Sequence, residues 1–406
     1  MNIAIIGRSL NLRSGHSLPA FSLAGYFQAQ GHKVIMLSDR SPEGRRNSPA
    51  VSSWIPPDDR RSDGSIERVA WRFGKLDSYG TALRGIDVVH EFDYVSPRDI
   101  RKVLGRDVPV VYQASSRLRM TLADIAAAGP HGLLNLGQLR FQRSLILPKV
   151  VLKRMISHFH TIVCTSRFVA DGIRDLGVPE SRIRVVPAWL GNLGAPRVRV
   201  RPSANSPSVL YFGWGSSIRG LPDLLEAHEL MRRAGFKVSL DIFLQDTHGI
   251  EEWLMKRIVT RRSLKGGLTL RGFQADILQQ LASANCVVLP FRSSFGYAHP
   301  PLTLLEAMSS GIPVISTIVG SIPELVTDRE TGYIVRPRQP RALAKTIQHV
   351  VFDCPEEAER VGREAASHIR ANHGIELAGE KLLGIYRRLI DNEQALNDSD
   401  HPLIET

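Results

Sequence analysis

The chain begins with a pattern that leaves little freedom of fold. An apolar run over residues 2–6 is followed by a polar, glycine-containing loop (7–17). A helical spacing over residues 18–30 then meets Gly31, and a second apolar run follows at 33–37. Glycine after the last periodic residue ends a helix because it alone takes up the left-handed conformation without steric cost. Strand, loop, helix, glycine and strand in this space is a βαβ unit, and such units build parallel sheets.

The alternation continues along the chain. Residues 87–90, 108–113, 161–165 and 183–186 read as further strands of a first lobe, and residues 41–70, rich in Ser, Pro, Arg and Asp, as a long loop. Residues 197–206 are polar, carry proline and serine, and read as a linker. In the second half, strands are expected at 208–212, 237–243, 268–270, 286–290 and 313–316, with helices at 221–234, 274–284, 303–310 and 341–351. Residues 375–392 have helical spacing, and 393–406 read as a frayed tail. The expected division is an N-terminal domain (1–196), the linker, a C-terminal domain (207–374), a terminal helix (375–392) and the tail. A length of 406 residues suits two such domains and exceeds one ordinary core.

Charge separates the halves. Residues 1–205 hold 30 Lys+Arg against 16 Asp+Glu, whereas residues 206–406 hold 22 against 24. No acidic residue occurs between Ile125 and Ala170, a span that includes Arg140, Arg143, Lys149, Lys153, Arg154 and Arg167. A field of this sign attracts phosphates, anionic lipid or nucleic acid, and it also describes a plain solvated face. No apolar run reaches the roughly 18 residues of a membrane span, and the start of the chain does not read as a signal peptide. Cys164, Cys286 and Cys354 are widely spaced, which suits a reduced thiol pool and a cytoplasmic location.

The richest segment runs from Pro290 to Glu324. A strand ends at Pro290, an irregular loop follows, a short helix begins near Leu302, and Gly311 ends it just before the next strand. The start of that helix offers free N–H groups and a positive dipole end, which is a phosphate site. Glu306 then stands where a carboxylate would accept hydrogen bonds from a ribose diol. The same residues, Thr303 to Glu306, also have the form of a capping box, with the glutamate reaching back to the helix start.

Residues 302–314, the turn Gly320-Ser321-Ile322-Pro323-Glu324 and the run Thr331-Gly332-Tyr333-Ile334-Val335 resemble the C-terminal half of retaining glycosyltransferase family 4 enzymes. Ser14-Gly15, residues 165–170, residues 183–187 and residues 384–388 resemble further patterns of that family, in the same order. The resemblance implies the GT-B fold, an α/β architecture of two Rossmann-like domains facing across a cleft. It implies sugar transfer from a nucleotide diphosphate sugar with retention of configuration, and neither a cofactor nor a metal. In the family the second glutamate of a Glu–seven residues–Glu motif binds the donor ribose, and Glu306 matches it.

Three positions depart from the pattern. The first glutamate of the motif is Ala298, followed by His299 and then Pro300-Pro301, which offer no N–H. In Gly213-Trp214-Gly215-Ser216-Ser217-Ile218-Arg219-Gly220, Arg219 takes the place of a phosphate-binding lysine and Trp214 that of an arginine. In Asp87-Val88-Val89-His90-Glu91-Phe92 the first histidine of a His-x-His pair is His90 and the second is Phe92; Glu91 and Asp93 are alternative polar groups. The resulting expectation is that Arg219, Gly213, Ser216, Ser217, Leu302 and Thr303 hold the diphosphate and Glu306 the ribose. Gly15 lets the first loop approach, His299 supplies a polar contact or is a surface loop histidine, and His90 lies near the transferred sugar or is a satisfied strand-end histidine.

The acceptor is expected on the basic first lobe, where a phosphorylated, lipid-linked or polysaccharide molecule would suit the charge. Residues 133–156 could lie on anionic lipid or pack as a helix under the sheet. Rival readings are another GT-B enzyme, such as an epimerase or a phosphorylase, and a non-catalytic nucleotide- or partner-binding protein. Nucleic acid is not expected as a partner, since no recognition module is present.

Overall fold

The computed structural model describes residues 1–7, 18–38, 67–70, 85–92, 108–119, 124, 126, 148–191, 207–244, 250–264, 266–272, 281, 284–294 and 297–399. The first lobe is built on β1 (Asn2–Gly7), β2 (Lys33–Ser38), β3 (Glu67–Ala70), β4 (Val88–Glu91), β5 (Val110–Ala114), β6 (Thr161–Cys164) and β7 (Ile183–Val185). These form one parallel sheet in the order β3-β2-β1-β4-β5-β6-β7. The second lobe holds β8 (Ser208–Gly213), β9 (Ser239–Leu244), β10 (Leu268–Arg271), β11 (Cys286–Val288), β12 (Val314–Thr317) and β13 (Tyr333–Val335). They too are parallel, in the order β10-β9-β8-β11-β12-β13.

Both orders reverse direction beside the first strand of the lobe. In an open α/β sheet the crevice at such a reversal, outside the carboxyl ends of the strands, is where ligands bind. The central strands β4, β5, β6 and β11 are buried along their whole length, as a parallel sheet covered on both faces requires.

The covering helices follow from residue spacing. In α1 (Leu18–Ala29), Ala20, Leu23, Ala24 and Phe27 are buried, one stripe at helical period. Gly31, at φ +79°, ends the turn, and its N–H donates to Gln28 O at 2.9 Å. Further helices in chain order are α2 (Lys149–Ile156), α3 (Arg167–Arg174), α4 (Leu221–Arg233), α5 (Ile250–Ser263), α6 (Leu302–Ser309), α7 (Ile322–Leu325), α8 (Pro340–Gln348), α9 (Pro355–Asn372) and α10 (Ile375–Ser399). The last one returns to the first lobe: Ile375, Ala378, Leu382, Ile385 and Tyr386 share a cluster with Ile3 and Ile5 of β1 and Phe27 of α1.

The structure corrects several expectations. Residues 41–70 are not all loop, since β3 occupies their end. α10 continues through 393–399, part of the expected frayed tail. The expected helix 341–351 breaks at Gln348 into a π-helical turn, His349–Asp353. Helices α5 and α9 were not anticipated. The buried face of α9 is Ala358, Val361, Gly362, Ala365, Ala366 and Ile369, too small-sided for a strong apolar signal. Its glycine lies so close to Gly311 O of the α6 end that a methyl group there would overlap it. The linker 197–206, most of the expected helix 274–284, residues 133–147 and the loop holding Gly15 lie outside the described residues.

Two glycines of α10 test its docking. A Cβ at Gly379 would overlap the Tyr26 ring of α1, whereas one at Gly384 meets nothing within 4 Å. Gly384→Ala should therefore stabilise the fold by about 0.5–1 kcal/mol through helix propensity alone. Gly379→Ala should destabilise it by about 1–3 kcal/mol through overpacking. Urea unfolding of the pair gives opposite signs if α10 docks as described.

Candidate active site

Two loops meet at the carboxyl edge of the second sheet because their strands, β8 and β11, are neighbours. The β8 strand leads through residues 214–220 into α4, and β11 leads through 289–301 into α6. The loops are stitched together: Arg292 N–H donates to Ile218 O at 2.8 Å, and the Arg292 guanidinium grips the Asp223 carboxylate at 2.5 and 2.7 Å. That pair is largely buried, so removing one partner would strand a charge at a cost of about 3–5 kcal/mol. Gly220, at φ +76°, is required, since a Cβ there would overlap Pro290 O.

This frame aims Arg219. Its guanidinium carbon lies 5.2 Å from the Trp214 ring centre and 5.6 Å from those of Phe291 and Tyr297. Aromatic faces attract a cation electrostatically, the more so where it is desolvated. Trp214, standing where the family motif has arginine, thus supports the remaining cation. Gly213, at φ +132°, leaves room for it, since a Cβ would lie 3.1 Å from Arg219 Nη1.

Helix α6 settles what the residues alone left open. Its N-cap is Pro301, with no side-chain cap. Thr303 is the second helical residue and Glu306 the fifth, so they do not form a capping box. Pro300 and Pro301 have no N–H, and the free amides at the helix start are those of Leu302 and Thr303. Thr303 Oγ1 is buried without a hydrogen-bond partner, and so is Ser216 Oγ on the facing loop. Glu306 makes no side-chain hydrogen bond, and burial pushes its carboxyl up to about 7. Ser217 is fully buried, and its backbone carbonyl accepts the Gly220 N–H. Buried polar groups in folded proteins nearly always have partners; Ser216 Oγ and Thr303 Oγ1, beside a helix N-terminus, depart from that rule.

His299 is a fully buried joint between the lobes, not a surface loop residue. Its N–H donates to Ser115 O at 2.7 Å, and its carbonyl accepts from Thr165 Oγ1 at 2.5 Å, both in the first lobe. Its ring bonds within the second lobe, with Nε2 donating to Ser294 O and Nδ1 facing Ser321 Oγ at 3.4 Å. Gly320 is needed beside it, because any Cβ would overlap the ring. Burial lowers the imidazole to about 4. Glu324 makes a second tie: its carboxylate accepts the N–H groups of Arg167 and Phe168, at 2.8 and 2.7 Å, at the start of α3. The positive end of α3 is thereby capped from the opposite lobe. Ser294 Oγ adds a bond to Asp124 at 2.8 Å.

His90 is the satisfied strand-end histidine. It is fully buried, its Nε2 donates to Gln113 Oε1 at 3.1 Å, and its Nδ1 accepts from the Tyr386 hydroxyl of α10. Phe92 stacks on it at 4.8 Å. With both nitrogens engaged and its basicity lowered by burial to about 3, it stays neutral. Gly15 and Asp93 lie outside the described residues. Glu324 was legible in the sequence as part of a turn and Tyr386 as part of the 384–388 pattern, both without a role; the Asp223–Arg292 pair carried no local signal, since the two residues are 69 apart.

Known proteins resemble this chain in sequence and in overall fold. Residues 206–353 match the sequence model of the family described as glycosyl transferases group 1, and residues 15–189 match that of glycosyltransferase family 4. The chain is 28% identical over 185 residues to alpha-D-kanosaminyltransferase of Streptomyces kanamyceticus, covering 45% of this chain and 46% of that protein. It is 26% identical over 234 residues to glycogen synthase of Mycobacterium tuberculosis, covering 57% and 55%. The matched part thus spans about half the length of these curated relatives. Among solved structures, HepE from Anabaena, in complex with UDP and glucose, superposes with a TM-score of 0.69 at 15% identity, over 95% of this chain and 99% of that one. Sucrose-phosphate synthase from Thermosynechococcus elongatus gives 0.72 at 18% identity, over 97% and 100%. These likenesses establish the two-lobed GT-B fold.

The His299 joint has a pH signature. Its folded-state basicity lies below that of an unfolded histidine, so its contribution to stability is present above about pH 6.5 and is lost as pH falls toward 4. His299→Asn should melt below the wild type at pH 8, and the gap should narrow between pH 6.5 and 4.5. Thermal melts of both proteins across that range check it.

Proposed function

We propose that this chain, which belongs to the group 1 and family 4 glycosyltransferases, moves a sugar from a nucleotide diphosphate sugar to an acceptor. The observation that carries the reading is the set of unpartnered buried groups at the start of α6. Ser216 and Thr303 offer hydroxyls and Leu302 and Thr303 amides to the diphosphate. Arg219 supplies the cation, and Gly213 lets it approach. Ser217 shapes the turn beneath them. Departure of the nucleoside diphosphate is the electrostatic demand of the reaction, and oriented donors meet it without reorganising. The transferred sugar then lies toward the seam, against the segment of Ala298 and His299. His90 acts in this reading as a positioning residue that holds β4, β5 and α10 together, without touching the sugar.

Transfer is proposed to retain anomeric configuration and to need no metal, as family membership suggests. The acceptor is proposed to bind the first lobe and to be anionic or lipid-linked. One face of α2 supports contact with an anionic bilayer: Lys149, Val150, Val151, Lys153 and Arg154 are exposed, while Leu152 and Ile156 are buried beneath. Among the described residues no helix is long and apolar enough to cross a membrane.

Nucleotide release from UDP-, GDP- and ADP-sugars, with and without EDTA, tests the activity. Turnover of one donor unaffected by EDTA is expected. Tight nucleotide binding with no release from any donor would instead establish the binding-protein alternative, which the alanine at 298 favours.

Glu306 yields a two-sided prediction. Its carboxyl is held protonated to higher pH in the folded chain than in the unfolded one, so ionising it costs stability above about pH 4.5 and increasingly up to about 7. Glu306→Gln should therefore raise the melting temperature at pH 8 and leave it unchanged at pH 4. If the carboxylate holds the ribose diol, the same variant should bind nucleoside diphosphate at least about tenfold more weakly, the loss of roughly 1.5–3 kcal/mol of charged hydrogen bonding. Wild-type affinity should climb as pH rises toward 7 and then level off. Calorimetry at several pH values measures both.

A further inference from the structure

A second cluster of buried polar atoms lies apart from the seam, where α8 gives way to α9. The π-helical turn His349–Asp353 closes with Cys354 N–H on His349 O at 2.8 Å, and Cys354 then stands as the N-cap of α9 without a side-chain cap. In an α-helix, residues five apart face different sides; the wider π turn brings them together. As a result His349, Cys354 and Glu357 present one ligating atom each, all within 4.8 Å of one another. His349 Nε2 is shut off from solvent, makes no hydrogen bond, and lies 3.5 Å from Glu357 Oε2. The Tyr333 hydroxyl, on a ring edge-on to His349 at 6.0 Å, is likewise buried without a partner. The other carboxylate oxygen of Glu357 faces Arg329 at 3.7 Å, which leaves Oε2 turned toward the histidine.

We propose that His349, Cys354 and Glu357 form a binding site for a zinc-class divalent cation, independent of sugar transfer. Two ligands about 2.0–2.2 Å from zinc at the tetrahedral angle stand ~3.3–3.6 Å apart. The His349–Glu357 separation already meets that, and the Cys354 sulfur needs to close by about 1 Å at most. One thiolate and one carboxylate balance the dication, and the imidazole binds neutral through Nε2. A mixed sulfur, nitrogen and oxygen set suits zinc and disfavours magnesium and calcium, which take oxygen alone. All three side chains are half-buried, so water supplies the fourth position. On binding, the Cys354 S–H bond breaks, the sulfur–metal bond forms, and the proton leaves to buffer. The ion would pin the π turn between α8 and α9 under the edge strand β13.

The test uses the full chain, stripped with EDTA and desalted, titrated calorimetrically with zinc chloride and, as a control, magnesium chloride. One zinc per chain is expected, with no response to magnesium and a rise in melting temperature on zinc addition. Cobalt(II) should give a thiolate charge-transfer band that Cys354→Ser abolishes. Cys354→Ser, His349→Gln and Glu357→Gln should each weaken zinc binding by at least about tenfold. Glu357→Gln, at a side chain more exposed than that of His349, serves if the others fail to fold. Absence of one-to-one zinc binding, or wild-type affinity in a folded variant of any of the three residues, would overturn the proposal.

Discussion

The two halves of this molecule are tied at one fully buried residue, His299. His299 gives its backbone to the first lobe, through Ser115 and Thr165, and its ring to the second, through Ser294 and Ser321. Every one of these partners lies at or just beyond the carboxyl end of a strand or in the loops there. The joint therefore turns the ligand-binding edges of both sheets to one another. Glu324 does the same by another route, lending a carboxylate from the short helix α7 to the start of α3. Without such ties, two parallel sheets would be two independent domains with no shared crevice.

The crevice is made by what is left unsatisfied. Ser216 and Thr303 carry hydroxyls taken out of water without compensation, which costs stability, and desolvation pushes the half-buried Glu306 carboxyl up to about 7. The surroundings are correspondingly firm: a buried Arg292–Asp223 pair, a left-handed glycine at 220 and an aromatic box around Arg219 leave that loop one path. Such a division sets an under-satisfied centre in an over-determined frame. The substitutions at 214 and 298 then read differently. Trp214 replaces one charge by a support for another. Ala298 stands where the family pattern has a carboxylate and puts nothing charged in its place.

Much of this was legible in the chain itself. The βαβ rhythm and Gly31 were sufficient for the first sheet, and Gly311 with the following apolar run placed α6 and β12. Glu306 and Arg219 could be named because their neighbours form contiguous patterns. Elements escaped where the signal was not local. β3 is a four-residue strand stabilised by β2 alone, and α9 buries alanine and glycine against a backbone. Capping and ribose binding looked alike in Thr303-Leu304-Leu305-Glu306, and only the helix start at Leu302 separates them. His90 and His299 both proved to be buried structural joints, because burial and a partner from a distant helix or lobe cannot be read from a lone histidine in a loop or at a strand end.

The most direct measurement is a crystal structure of the chain with a nucleoside diphosphate bound. It should show the diphosphate against Arg219, Ser216 and the Leu302 and Thr303 amides, with the ribose hydroxyls on Glu306 and the His299 joint intact. A nucleotide held elsewhere, with Ser216 and Thr303 still unpartnered, would contradict the account.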